Sequence, residues 1–87
     1  MVSYSPSGKI KDIKYYAWQV FENLGPINLA DTITCSEFTD DANLSHSLLI
    51  NNSTGAEIAT TILLNVVTVS GASTNTECTL FVFGRRT

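Results

Sequence analysis

Between Tyr15 and Gly84 the sequence has no lysine and no arginine, although seven acids lie in that stretch (Glu22, Asp31, Glu37, Asp40, Asp41, Glu57 and Glu77). No ion pair can therefore form within the middle of the chain, and its stability must come from packing and backbone pairing. The five bases, Lys9, Lys11, Lys14, Arg85 and Arg86, all lie towards the ends, with Asp12 their single acidic companion. An acidic body speaks against general nucleic-acid binding, which needs a basic surface. Long apolar runs are also missing. The longest, Ile62 to Val69, is interrupted by Asn65 and Thr68 and falls far short of the ~20 residues of a membrane-spanning helix. Residues 1–15 carry three lysines and no apolar block, so no secretory leader is read there. One histidine and two cysteines make no convincing zinc site. Eighty-seven residues leave no room for a second domain. With 44% hydrophobic and only 15% charged residues, the chain is also too apolar for disorder.

What is abundant favours β-structure. Threonine, isoleucine and valine account for 24 of the 87 residues, and β-branched side chains suit a pleated, half-buried surface. Serine, threonine and asparagine account for 27, so the polar face is built from neutral hydrogen-bonding groups. Such a surface suits close protein contact, because little charge has to be desolvated.

Along the chain, MVSYSPSGK (residues 1–9) clusters Ser, Pro and Gly without an apolar period, as in an arm. From 10 to 24 two patterns compete. Ile10, Ile13, Ala17, Val20, Phe21 and Leu24 follow 3-4 spacing, and Leu24-Gly25-Pro26 is a helix stop signal. Against this, the aromatic and β-branched YYAWQVF has the composition of a strand. The spacing tips the balance to a helix over 10–24. INLADTITCSEF (27–38) then alternates as a strand with one polar intrusion, Asp31. TDDAN (39–43) is a turn, LSHSLLIN (44–51) a strand, and NNSTG (51–55) a turn. AEIATTILLNVVTVS (56–70) is expected to form a single strand, covered on both faces from Leu63 to Val67. GASTNT (71–76) turns the chain into a last strand, ECTLFVFG (77–84). The expectation is a mainly β protein, a small antiparallel sandwich or barrel of four to six strands. An arm (1–14) and a basic tail (85–87) would flank one β-rich domain (15–84). So few strands leave exposed edges that must be covered or paired with a partner.

Candidate chemistry is thin. His46 in LSHSLL would need a hydroxyl and an orienting acid for hydrolysis. Ser45 and Ser47 are its strand neighbours and project to the other face, and no Gly-x-Ser-x-Gly elbow is present. Asp41-Ala42-Asn43-Leu44-Ser45 starts like a calcium loop, but His46 stands where glycine is needed and Asn52 where glutamate is needed. Cys35 and Cys78 are expected to be buried free thiols, with a disulfide between neighbouring strands as the alternative outside a reducing cytosol. No catalytic residue, cofactor or metal site is assigned. Tyr15, Tyr16, Trp18 and Phe21 form the densest aromatic cluster, just after Lys9, Lys11 and Lys14. Aromatics beside bases can stack on single-stranded nucleic acid. The acidic middle opposes this, so a protein anchor is preferred. The candidate partner-binding residues are Lys9, Lys11, Lys14, Tyr15, Tyr16, Trp18, Arg85 and Arg86.

An N-terminal arm at 1–14 followed by a weakly charged β-body (INLADTITCSEF…LLINNSTGAEIATTILLNVVTVSG…CTLFVFG) resembles, in layout, small bacteriophage virion proteins such as capsid decoration (cement) or minor structural subunits. The resemblance implies a non-catalytic structural protein that binds and reinforces a repeated protein lattice. Its partners would be copies of itself or a major capsid-type subunit, in a virion assembled in the host cytoplasm, without nucleic acid or membrane. The alternative is a surface or fibre β-module on the extracellular side that binds a glycan or host receptor.

Overall fold

The computed structural model describes residues 1–38 and 44–85, and these form nine strands: β1 (Ser3–Tyr4), β2 (Lys9–Ile13), β3 (Tyr16–Ile27), β4 (Thr32–Thr34), β5 (Leu44–Asn51), β6 (Glu57–Ile58), β7 (Thr60–Leu63), β8 (Val66–Val69) and β9 (Thr76–Arg85). They make a four-stranded sheet in the order β1-β4-β8-β7 and a five-stranded sheet in the order β2-β3-β9-β5-β6. All pairings are antiparallel except β1 with β4. The protein is thus mainly β, as composition implied. Residues 39–43, which hold the expected TDDAN turn and the start of the calcium-like loop, lie outside the described residues, as do Arg86 and Thr87.

The core lies between the sheets. In β3, Ala17, Phe21, Leu24 and Ile27 face inward, and in β9 Cys78, Leu80 and Val82 do so. Ile33, Leu49, Val67 and Val69 close it from the other strands, and Phe38 from the turn after β4. Ser47 Oγ and Thr60 Oγ1 lie 2.6 Å apart, and the Leu44 N–H donates to the Leu64 carbonyl (3.2 Å). These bonds draw β5 and β7 together, so the sandwich is nearly closed along that side.

The helix expected over 10–24 is absent: these residues form a hairpin and the first part of a long strand. Ile10 and Ile13 sit on β2, and Lys14 and Tyr15 make a two-residue turn, with Lys14 at φ 58°. On β3, Phe21, Leu24 and Ile27 pair with Leu80, Cys78 and Thr76, so three-residue steps on one strand face two-residue steps on the other. Two β-bulges thus add one residue each, near Asn23 (φ 58°) and Gly25 (φ 136°), where the Gly25-Pro26 peptide is cis. The turn and the first bulge turned a two-residue period into apparent 3-4 spacing. The long strand expected over 56–70 is likewise three short ones. Leu63 and Leu64 are exposed at the tip of the β7–β8 hairpin, with Leu64 at φ 55°. The expected arm is part of the fold: β1 pairs with β4 in one sheet and β2 with β3 in the other. Between them the chain runs so close to β3 that a Cβ on Gly8 would meet the Val20 carbonyl and the Phe21 ring.

Asp31, the polar intrusion, explains how the N-terminus is held. It is almost fully buried, and its two carboxylate oxygens accept the Val2 N–H (2.7 Å) and the Asn28 N–H (2.8 Å). The Thr32 N–H donates to the Val2 carbonyl (2.9 Å), completing the link. Tyr4 beside it donates its hydroxyl to the Pro26 carbonyl (2.8 Å), and desolvation, then the Asp31 charge, push its pKa up.

Asp31→Asn would turn an amide N–H₂ towards one of those two N–H donors. The variant is expected to lose about 1–3 kcal/mol, the cost of one buried unsatisfied donor. Urea unfolding at neutral pH checks this, and hydrogen exchange should show the loss first at Val2 to Tyr4.

Candidate interaction face

In a strand, alternate side chains point to opposite faces. With Cys78, Leu80 and Val82 inward, β9 turns Glu77, Thr79, Phe81, Phe83 and Arg85 outward. β3 adds Tyr16, Trp18, Val20 and Glu22, and β2 adds Lys9, Lys11 and Ile13. From the other side β5 adds His46, Leu48 and Ile50, and β6 adds Glu57. Register sorts these into rows. Lys11, Trp18, Phe83 and His46 lie side by side across four strands, and Lys9, Val20, Phe81 and Leu48 form the next row. Above them Ile13, Tyr16 and Arg85 are neighbours; below them Thr79, Ile50 and Glu57 are.

The middle of this face is apolar and open to solvent. Trp18 is 51% exposed, Tyr16 44%, and Phe81 and Phe83 39% each. The Tyr16 and Phe83 rings stack at 5.8 Å with an interplanar angle of 7°. Two shallow cavities flank Phe81. One, of about 320 Å³, is lined by Lys9, Ile10, Lys11, Trp18, Val20 and Phe81. The other, of about 210 Å³, is lined by Trp18, His46, Leu48, Phe81, Val82 and Phe83. Isolated exposed apolar residues are ordinary, but a contiguous patch of aromatics marks a contact surface. Lysines on an edge strand such as β2 also discourage edge-to-edge pairing. That accounts for Lys9 and Lys11 without accounting for the aromatics beside them.

Of the partner-binding residues expected from sequence, Lys9, Lys11, Tyr16, Trp18 and Arg85 meet on this one face. Lys14 and Tyr15 lie at its end, on the β2–β3 turn, with the ammonium 5.1 Å from the ring centroid. Arg86 lies outside the described residues. Phe21 points into the core. Phe81, Phe83, Leu48 and Val20 were missed. In LFVF both alternating sets are apolar, so period alone cannot say which faces solvent. The usable signal was the company each set keeps: Glu77 and Arg85 share a face with the phenylalanines, Cys78 and Gly84 with Leu80 and Val82.

The remaining candidates lie apart from this face or on its rim. His46 is exposed on β5 in a depression with Ser45, Ser47, Glu57 and Thr60. Ser47 is committed to Thr60, and among the described residues nothing hydrogen-bonds the imidazole. No group of three or more His, Cys, Asp or Glu side chains is placed to hold a metal among those residues; Asp40 and Asp41 fall outside them. Cys35 and Cys78 are buried free thiols. Burial pushes Cys35 up to about 12 and also raises Cys78, the latter opposed by hydrogen bonds from the Thr74 side chain and the Asn52 backbone. A thiol held protonated and away from solvent is a packing group and a poor nucleophile.

Compared with protein-family models, with curated proteins and with solved structures, the chain matches none of them.

The thiols make an alkaline prediction. The folded Cys35 value lies above the ordinary 9.0, so above that pH the unfolded chain loses its proton first and unfolding becomes easier. Stability from this group is complete below about pH 9 and falls as pH rises towards about 12. Urea midpoints are expected to drop between about pH 9 and about pH 11, less steeply in Cys35→Ala. A thiol reagent at pH ~8 should label the native protein only as fast as it opens.

Proposed function

We propose that this protein is a structural assembly subunit, without catalysis, that docks on protein neighbours through the outward face of its five-stranded sheet. The observation that carries the reading is the solvent-exposed row Trp18–Phe83 with Phe81 below it, flanked by Lys9, Lys11 and Arg85. Aromatic side chains with arginine at the rim are the usual anchors of protein interfaces. Two layers and a small core leave this protein little stability of its own, and a partner that binds only the folded state adds some. The finer form of the reading is a subunit that reinforces a repeated lattice, in the manner of a capsid decoration protein, where weak contacts gain from many copies.

Glycan binding is the rival. Sugar sites pair an aromatic platform with hydrogen-bonding side chains aimed at hydroxyl groups. Here the two cavities beside Phe81 are lined mainly by hydrocarbon, and the backbone groups of β3, β9 and β5 are engaged in their ladders. That lining favours a protein surface.

If the reading holds, particles purified from the source contain the chain at a fixed ratio to a shell protein, and cryo-microscopy places it at symmetry-related positions. Replacing Lys9, Lys11, Lys14, Arg85 and Arg86 with Gln is expected to weaken that association and reduce its salt sensitivity, since exposed charges act through screened attraction. A chain found only free, and saturable binding to a glycan array, would replace this reading with its rival.

A further inference from the structure

The charges on the outward face are ordered along the strands. On the central strand β9 the outward series reads Glu77, Thr79, Phe81, Phe83, Arg85: acid at one end, base at the other, aromatic between. Its neighbours carry parts of that order. β3 runs from Tyr16 and Trp18 to Glu22, and β2 sets Lys11 beside Trp18 and Lys9 beside Val20. At the acidic end Glu57 on β6 pairs with Ile50, next to Thr79. Lys11 and Arg85 thus lie to one side of the Phe81 row and Glu22, Glu57 and Glu77 to the other, while Lys9 stands at the edge of that row itself.

We infer that this face binds a second copy of itself, sheet against sheet, about a two-fold axis that crosses the strands near Phe81. This rests on the docking reading above and names the partner. Such an axis reverses the strand direction of the second copy. It lays Arg85 of each copy over Glu77 of the other, leaves Lys9 on the axial row at the edge, and brings Trp18, Phe81 and Phe83 of both copies together in the centre. A two-fold contact is self-complementary: if residue i meets j, then j meets i. Arg85 and Glu77 meet this condition, standing four residues on either side of Phe81 on one strand. An axis along the strands would instead put like ends over each other. The two shallow cavities beside Phe81 give the second copy's rings places to sit.

The size suits the role. With strands about 4.8 Å apart and a rise of about 3.3 Å per residue, the face measures roughly 20 by 27 Å. Two such faces put the interface near the lower end of the specific range. A pair that forms reversibly and gains strength when held in an array is the expected behaviour. Joined this way, the dimer turns its two four-stranded sheets outward in opposite directions, able to bridge two neighbouring sites.

Trp18 is the chain's one tryptophan, so it reports directly on this contact. Sedimentation of the full chain from about 1 µM to about 500 µM is expected to show the mass doubling and then levelling. The Trp18 emission should shift to the blue over the same range. Glu77→Arg alone, or Arg85→Glu alone, should weaken pairing about tenfold, because each change opposes like charges at two places in the dimer. Combining them exchanges the two ends, and pairing should return to within about threefold of the original. Trp18→Ser with Phe81→Ser should remove it, with thermal melting confirming the fold. A chain that stays monomeric throughout, a mass that climbs past two copies, or a charge exchange that fails to restore pairing would each overturn the two-fold contact. If pairing fails while Trp18→Ser with Phe81→Ser still removes the chain from particles, only the partner is wrong. If those substitutions change neither measurement, the docking face falls with it.

Discussion

The five-stranded sheet depends on β9, the last strand of the chain. It pairs with β3 on one side and β5 on the other, joining residues 16–27 to residues 44–51. Without it the β2–β3 hairpin and the β5–β6 pair would be separate two-stranded ribbons, too small to be stable in water. The same strand supplies Cys78, Leu80 and Val82 to the core. Contacts of such sequence separation form late and carry a large loop-closure cost. Folding of this chain is therefore tied to its own end.

A chain of 87 residues can cover one face of each sheet and no more. The inner faces take the aliphatic groups, with Phe21 and Phe38 as the largest fully buried side chains. The outer face of the five-stranded sheet keeps four large aromatic side chains in solvent. Nothing in the core needs them there, since the strand alternation is complete without them. Their presence beside ordered charges is the feature on which the proposed protein contact rests.

Much of the fold was legible because its signals are local. LSHSLLIN and ECTLFVFG are preceded in the sequence by polar stretches, and the structure has strands there almost to the residue. Asn51 and Gly55 end β5 as turn residues should: the Gly55 N–H donates to the Asn51 carbonyl (2.7 Å), and Gly55 has φ 75°. The segment 10–24 failed for a different reason. A left-handed Lys14 is uncommon for its type, and Asn23, a residue that tolerates that conformation, marks a bulge that shows only once β3 is paired with β9. Leu63 and Leu64 failed likewise. Apolar residues at a hairpin tip imitate a buried strand, because hydrophobicity alone cannot show where a chain reverses.

The sequence by itself determined that the chain folds as β-structure, that its body carries no base, and that aromatics and lysines cluster near its start. Those properties follow from composition and neighbour spacing, which need no partner strand to be read. Only the tertiary structure decided which face of each strand meets solvent. Side chains alternate with a period of two, and a single bulge or a one-residue change of register exchanges the faces. Bringing Trp18 beside Phe83, and Lys11 beside Trp18, required the pairings of β3 with β9 and of β2 with β3. The first of these joins residues more than sixty positions apart, beyond the reach of any local pattern.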